Sequence, residues 1–274
     1  MTHRYRWATF FIDAMRAPFL GDTPEAEKAR AWAEVNPWLQ LSYGHKDLDH
    51  KFTRWVELRP PNLALPGEYH NLLREVEAAF IHGDFYPALT GSVCLGERIS
   101  NDLITELKAE YTASPRYKEV ARKDSVADWD TAISILEDWG VLRPDAARAF
   151  RALARLRNSA VHYGDVGDRL INAREAIALV YDITRALFGE STGRFFSCSG
   201  ELYVKKDREG EPFTKKFIVP LCHRLGYRHT AEAREGTTVL VESQTAYAPR
   251  ELTDEEFCDY RRAWRDGGKD LGSS

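Results

Sequence analysis

Asp145-Ala146-Ala147-Arg148-Ala149-Phe150-Arg151-Ala152-Leu153-Ala154-Arg155-Leu156-Arg157-Asn158-Ser159-Ala160-Val161-His162-Tyr163 is the stretch on which the fold turns. At about 100° per residue, Phe150, Leu153, Ala154, Ala160 and Val161 share one face, so the segment reads as a helix with one side buried. Arg148, Arg151 and Arg155 fall on the opposite, solvent side. Arg157 does not: its azimuth is the middle of the apolar face, where a charge is costly unless an anion meets it.

The same period recurs on both sides of this stretch. Residues 67–82, 85–111, 126–139 and 168–188 carry helical spacing, and Gly83, Gly140 and Gly189 stand where three of these helices would stop. In the second, Leu89, Val93, Gly96, Ser100, Leu103 and Leu107 form one stripe, and the small Gly96 and Ser100 would let a partner helix come close. Residues 66–190 are therefore expected to be a helical bundle. Before it, residues 1–65 form a mixed arm rich in Trp, Phe and His that ends in the turn cluster Arg59-Pro60-Pro61-Asn62. Thr23-Pro24-Glu25 offers an N-cap, a first-position proline and an early acid, predicting a helix from Pro24 to near Trp38.

After Gly193 the texture changes to β-branched and aromatic runs over 194–204, 213–221 and 237–248, broken by Glu209-Gly210-Glu211-Pro212 and Glu235-Gly236. This predicts a small antiparallel β module over 191–274, closed by a helix behind the capping box Thr253-Asp254-Glu255-Glu256 and carrying Phe257, Tyr260 and Trp264. The fold class is α+β.

Composition narrows the functions. Apolar residues make up 43% of 274, which excludes a disordered chain and allows one large domain or two to three small ones. With 38 basic against 42 acidic residues the net charge is -4, so a polyanion partner would need a local basic patch. Cys94, Cys198, Cys222 and Cys258 are widely spaced and read as free thiols. Asp13 and Arg16 interrupt the apolar start before a signal core is complete, and no run reaches the ~20 apolar residues of a membrane span, so a cytoplasmic protein is expected. No phosphate loop, dinucleotide fingerprint, nucleophile elbow, HExxH or kinase signature is present.

The chemistry concentrates at the end of the quoted helix. Asn158 and His162 are four apart on one side, and Gly164 follows as a stop. In the last turn, exposed carbonyls favour imidazolium while Arg157 opposes it, which would place His162 near neutrality and suit proton transfer. Arg157-Asn158-Ser159-Ala160-Val161-His162 resembles the R-N-x-x-x-H motif of the HEPN superfamily, and the helix from Tyr86 to Leu107 with Glu97 resembles that family's earlier long helix. The likeness spans residues 66–189 and leaves both arms unmatched.

This resemblance implies a metal-independent endoribonuclease needing no cofactor, a toxin or anti-phage defence effector whose active site is composite across a homodimer. Arg157 would hold the scissile phosphate, His162 would move the ribose 2'-hydroxyl proton, Asn158 would orient the two, and Glu97 would fix Arg157 between substrates. RNA is then the required partner, because DNA lacks that hydroxyl, and an antitoxin or regulatory protein joins the partners. The family also holds members that bind or assemble without cutting, so a non-catalytic module recognising nucleic acid or protein is the alternative. The plain reading of the same residues is that Arg157 pairs with Glu97 or Asp102 and His162 caps the helix.

Other residues offer less. His45-Lys46-Asp47-Leu48-Asp49-His50 has metal-ligand types but reads better as a polar loop, and Cys222-His223 with His229 and Cys198 lacks the paired cysteines of a zinc knuckle. No metal is therefore assigned. Lys205, Lys206, Lys215 and Lys216 are placed at hairpin ends, where lysines are ordinarily solvated, though they could guide RNA alongside Phe195, Phe196 and Tyr203.

Overall fold

The computed structural model describes residues 3–7, 15–61, 63, 65–161, 168–198, 201–205, 207–208, 210–219, 226–234, 237–245 and 250–252, with Glu255, Asp259 and Arg262. The described chain is mostly helical. It divides into two compact units, one of residues 11–63 and 67–187, the other of residues 1–10, 64–66 and 188–274. The 1–65 arm is thus shared between them.

The helical unit starts with α1 (Glu25–Tyr43) and α2 (Leu48–Glu57). The N-cap of α1 is Pro24, without a side-chain cap bond, rather than Thr23, and the helix continues through Pro37 to five residues beyond Trp38. Pro37 is exposed, as is Ala33 one turn earlier, so the carbonyl that loses its partner faces water. Phe19, Trp32, Trp38 and Phe52 cluster around Trp55, which is 1% exposed. Phe52 stacks near it, Trp38 lies 5.9 Å away, and Phe19 and Trp32 pack on Phe52 at 5.0 and 4.6 Å. Arg16 lies 4.6 Å over the Trp55 ring and donates from Nε to the Trp55 carbonyl at 2.7 Å.

Next come α3 (Gly67–His82) and α4 (Phe85–Leu107), joined as a tight antiparallel hairpin. The hairpin needs Gly83: its φ is +94°, its N–H donates to the carbonyls of Ala79 and Phe80, and the Asp84 N–H returns to Ala79. A one-turn α5 (Tyr117–Val120) precedes α6 (Trp129–Asp138), whose N-cap Asp128 accepts from the Thr131 N–H and hydroxyl. α7 (Pro144–Val161) and α8 (Arg169–Phe188) complete the unit. Gly189 follows α8 with extended backbone, so that helix ends without a left-handed residue. No helix among the described residues is long and apolar enough to cross a membrane.

The α4 stripe is buried along its length, from Leu89 to Leu107. Its Gly96 is where α7 approaches: a Cβ there would lie 2.5 Å from Leu153 Cδ2 and 3.2 Å from Trp129 Cη2. Leu153 is fully buried and has nowhere to retreat. Gly96→Val is therefore expected to cost about 1–3 kcal/mol in a denaturant titration, the penalty of forcing atoms into a filled core.

In the other unit, β2 (Phe195–Cys198) and β3 (Glu201–Lys205) pair antiparallel, β3 pairs with β1 (His3–Trp7), and β1 with β6 (Arg250–Leu252). The start of the chain thus supplies a strand between two late segments. β4 (Gly226–Arg234) pairs with β5 (Thr237–Thr245). The 213–221 run does not form the expected strand over its described part: residues 212–219 are helical, with Phe213, Thr214, Phe217 and Ile218 buried. That spacing is a helical one, and it lets the Phe213 ring stack on Phe217 at 5.3 Å and take Arg194 over its face at 4.7 Å. Of the closing segment, Glu255, Asp259 and Arg262 are helical, while Thr253, Phe257, Tyr260 and Trp264 lie outside the described residues.

Candidate functional site

The site is built where α7 crosses α4. Among the described side chains of α7, Ala146, Ala147, Ala149, Phe150 and Leu153 are buried, packed toward α4 and α6. Because Leu153 meets Gly96, one turn further along α7 brings Arg157 beside Glu97. Arg157 Nε lies 3.9 Å from Glu97 Oε2, with the two side chains 37% and 34% exposed.

The charge buried in the middle of an apolar face is thus not what forms. The azimuth of Arg157 lies on the side of α7 that buries Phe150 and Leu153, but azimuth says nothing of how far along the helix the cover extends. Cover thins after Leu153: Ala154 and Leu156 are half-buried, and the Arg157 side chain is 37% exposed. There a guanidinium keeps part of its hydration and costs little, and a loose pair with a half-exposed carboxylate is worth about 0–1 kcal/mol. Glu97 stands on the Nε side, and no other carboxylate among the described residues pairs with Arg157. The planar guanidinium can offer parallel N–H donors to a phosphate's paired oxygens, and its closest approach to Glu97, 3.9 Å, is longer than a hydrogen bond.

Asp102, the other candidate counter-ion, is engaged elsewhere. Tyr69 on α3 donates its hydroxyl to Asp102 Oδ2 at 2.8 Å. Burial raises the Asp102 carboxyl despite that bond, and burial together with the adjacent carboxylate raises the Tyr69 phenol. Among the remaining α7 arginines, Arg148 and Arg155 are exposed as expected, whereas Arg151 is half-buried and meets Glu137 Oε2 at 2.5 Å.

Asn158 stands on the described backbone of α7, but its side chain, those of 159–161, and the whole of His162 lie outside the described residues. Of the lysines, Lys206 lies outside them, Lys205 ends β3, and Lys215 and Lys216 project from the helical turn at 214–218, not from a hairpin end. Their exposure follows from that turn: Thr214, Phe217 and Ile218 take its inner side. In the 45–50 segment, Asp47 has φ of 55° and stands at the N-cap position of α2 without a side-chain cap bond, and His45 and His50 are exposed. No group of three or more His, Cys, Asp or Glu side chains among the described residues could hold a metal ion. The side chains of Cys198, Cys222, His223 and His229 lie outside the described residues.

Sequence reading passed over one other feature. Pro87, Gly91, Cys94 and Arg98 lie on the face of α4 opposite Gly96 and, with residues of α3, line a groove of about 360 Å³. The signal available was their spacing of four, three and four. Comparison with family models, with curated proteins and with solved structures gives no match.

Proposed function

We propose that the chain is a metal-independent endoribonuclease of HEPN type, with a helical domain carrying the site and a C-terminal antiparallel β module following it in the sequence. The observation that supports this most is the placement of Arg157: partly exposed, loosely held by Glu97, and in sequence next to Asn158 and five residues before His162. A cation spent on structure would be tied by closer bonds, as Arg151 is to Glu137.

In the reaction, His162 takes the proton of a ribose 2'-hydroxyl, and that oxygen attacks the adjacent phosphorus. Arg157 stabilises the charge that builds on the non-bridging oxygens. The bond to the 5'-oxygen breaks, this oxygen receives a proton, and the products are a 2',3'-cyclic phosphate and a 5'-hydroxyl. Asn158 orients the pair. A second copy of the chain contributes its own Arg157 and His162 to the cleft, and Lys205, Lys206, Lys215 and Lys216 supply positive charge for steering RNA. A toxin or defence effector is the biological setting proposed, with RNA and a controlling protein as partners.

The test is purified protein incubated with total RNA in EDTA, with product ends analysed. Cleavage that persists in chelator and leaves cyclic phosphate is the expected result. RNA that is bound but left intact would move the site to the binding-module reading.

A further inference from the structure

The solvent face of α7 carries a row of arginines. Arg148, Arg151 and Arg155 follow one another at three and four residues, so at about 100° per residue they share one side of the helix, away from the buried Phe150 and Leu153. Arg151 meets Glu137, and Asp145, the acidic residue of α7, meets Arg143 at 3.6 Å. Arg148 and Arg155 are exposed and make no ion pair or hydrogen bond among the described residues. Like charges three and four apart on a helix repel, so the row weakens its own helix until an anion lies across it.

The row leads to the motif. Asn158 stands three residues past Arg155 on the described backbone of α7, and the sequence carries the spacing four further to His162. Arg157 lies across the helix, beside Glu97. Ala152 adds only a methyl group between Arg148 and Arg155, which leaves that stretch of the face open. The seven residues from Arg148 to Arg155 cover about 10 Å of helix, the reach of roughly two to three phosphates along one strand. Planar guanidinia take a phosphate's paired oxygens, and a helix fixes their separation. In a chain of net charge -4, such a local row is a place where a polyanion can be held.

We propose that Arg148 and Arg155 form a phosphate track, holding the backbone of an RNA strand beside the cleavage site and leading it along α7 toward Asn158 and His162. This track rests on the reading of the chain as one that acts on RNA. The strand is gripped through its phosphates and not its bases, so binding is indifferent to base sequence, falls with salt and needs several nucleotides beyond the scissile bond.

The test is fluorescence anisotropy of a labelled 2'-O-methyl oligouridine, which lacks the attacking hydroxyl and stays whole, titrated with the full chain in EDTA over a potassium chloride series. Arg148→Gln with Arg155→Gln should weaken binding by about tenfold or more and lower the slope of its salt dependence by about one to two. Arg148→Lys with Arg155→Lys keeps the charges and should keep most of the binding. Arg30→Gln with Arg122→Gln, exposed arginines off the row, removes the same charge and should change binding little. On cleavable RNA the Arg148, Arg155 glutamine pair should raise KM and spare kcat. Its thermal unfolding midpoint should not fall, since a repulsion has been removed, which separates loss of grip from loss of fold. A wild type that binds no oligonucleotide overturns the track. Cleavage by the wild type with binding and KM unmoved in the glutamine pair also overturns it and leaves the nuclease standing, whereas row-dependent binding by a chain that cuts no RNA keeps the track and removes the nuclease. Equal loss in the off-row pair would reduce the effect to net charge, and oligoglutamate that displaces the RNA as readily as unlabelled RNA does would make the row a surface for acidic protein; either result overturns the track.

Discussion

Arg157→Ala should slow RNA cleavage by about 10²–10³-fold while leaving the folded chain within about 1 kcal/mol of the wild type. Both halves follow from the partly exposed position. Attack by a 2'-oxygen places added negative charge on phosphate oxygens, and a cation whose closest approach to Glu97 is 3.9 Å can meet that charge without first being freed from a tight bond. Alanine removes the stabilisation and nothing supplies it in its place. The pair with Glu97, at 3.9 Å and about one-third exposed on each side, adds little to stability, so its loss should barely move thermal unfolding. Single-turnover cleavage of a labelled RNA in EDTA, beside the unfolding midpoint, measures the two together. Arg157→Lys keeps the charge and gives up the planar fork, so it should recover only part of the rate. Full activity in the alanine variant would remove Arg157 from the chemistry, and a collapsed midpoint would make the residue structural instead.

The helical core was legible where a side-chain period and a stop signal coincided. Gly67–His82 was bounded by turn residues on both sides, and Gly83 then made the left-handed turn that its lack of a Cβ permits. The α4 stripe was legible for the same reason, and Gly96 admits Leu153 as its size suggested. Elsewhere a local rule lost to packing. A proline inside α1 should end a helix, yet Pro37 is carried because its face is solvated while Val35 and Leu39 are buried on the other. The β-branched and aromatic content of 213–219 argued for a strand, but its buried residues are spaced for a helix, and spacing decided. The placement of β1 beside β3 could not be read, because pairing between residues as distant in sequence as His3 and Lys205 leaves no local trace. At the site, the inward azimuth of Arg157 was legible from spacing and Glu97 was one of two counter-ions the sequence offered it, whereas the depth of Arg157 depends on how far its neighbours cover it.

Phe150→Ala should cost the helical unit about 3–5 kcal/mol, measured by urea titration followed through tryptophan fluorescence. Phe150 is fully buried where α4, α6 and α7 meet, its ring 6.4 Å from Trp129 and nearly edge-on to it. The cost of such a truncation depends on how far the walls can close. Here they can close little, because Leu153 one turn along is already against the backbone of Gly96, so α7 cannot move deeper into α4. The cavity would stay largely open, its lining stripped of contacts on one side. Phe150→Leu fills part of it and should lose less. The same contact sets the level at which Arg157 meets Glu97, so the variant also separates scaffold from chemistry. At a temperature where Phe150→Ala is still folded, its RNA cleavage should fall far less than that of Arg157→Ala, since the reacting groups remain and only their support is weakened. A stability loss under about 1 kcal/mol would mean the junction repacks freely, and the close approach at Gly96 would then not be what holds α7 in place.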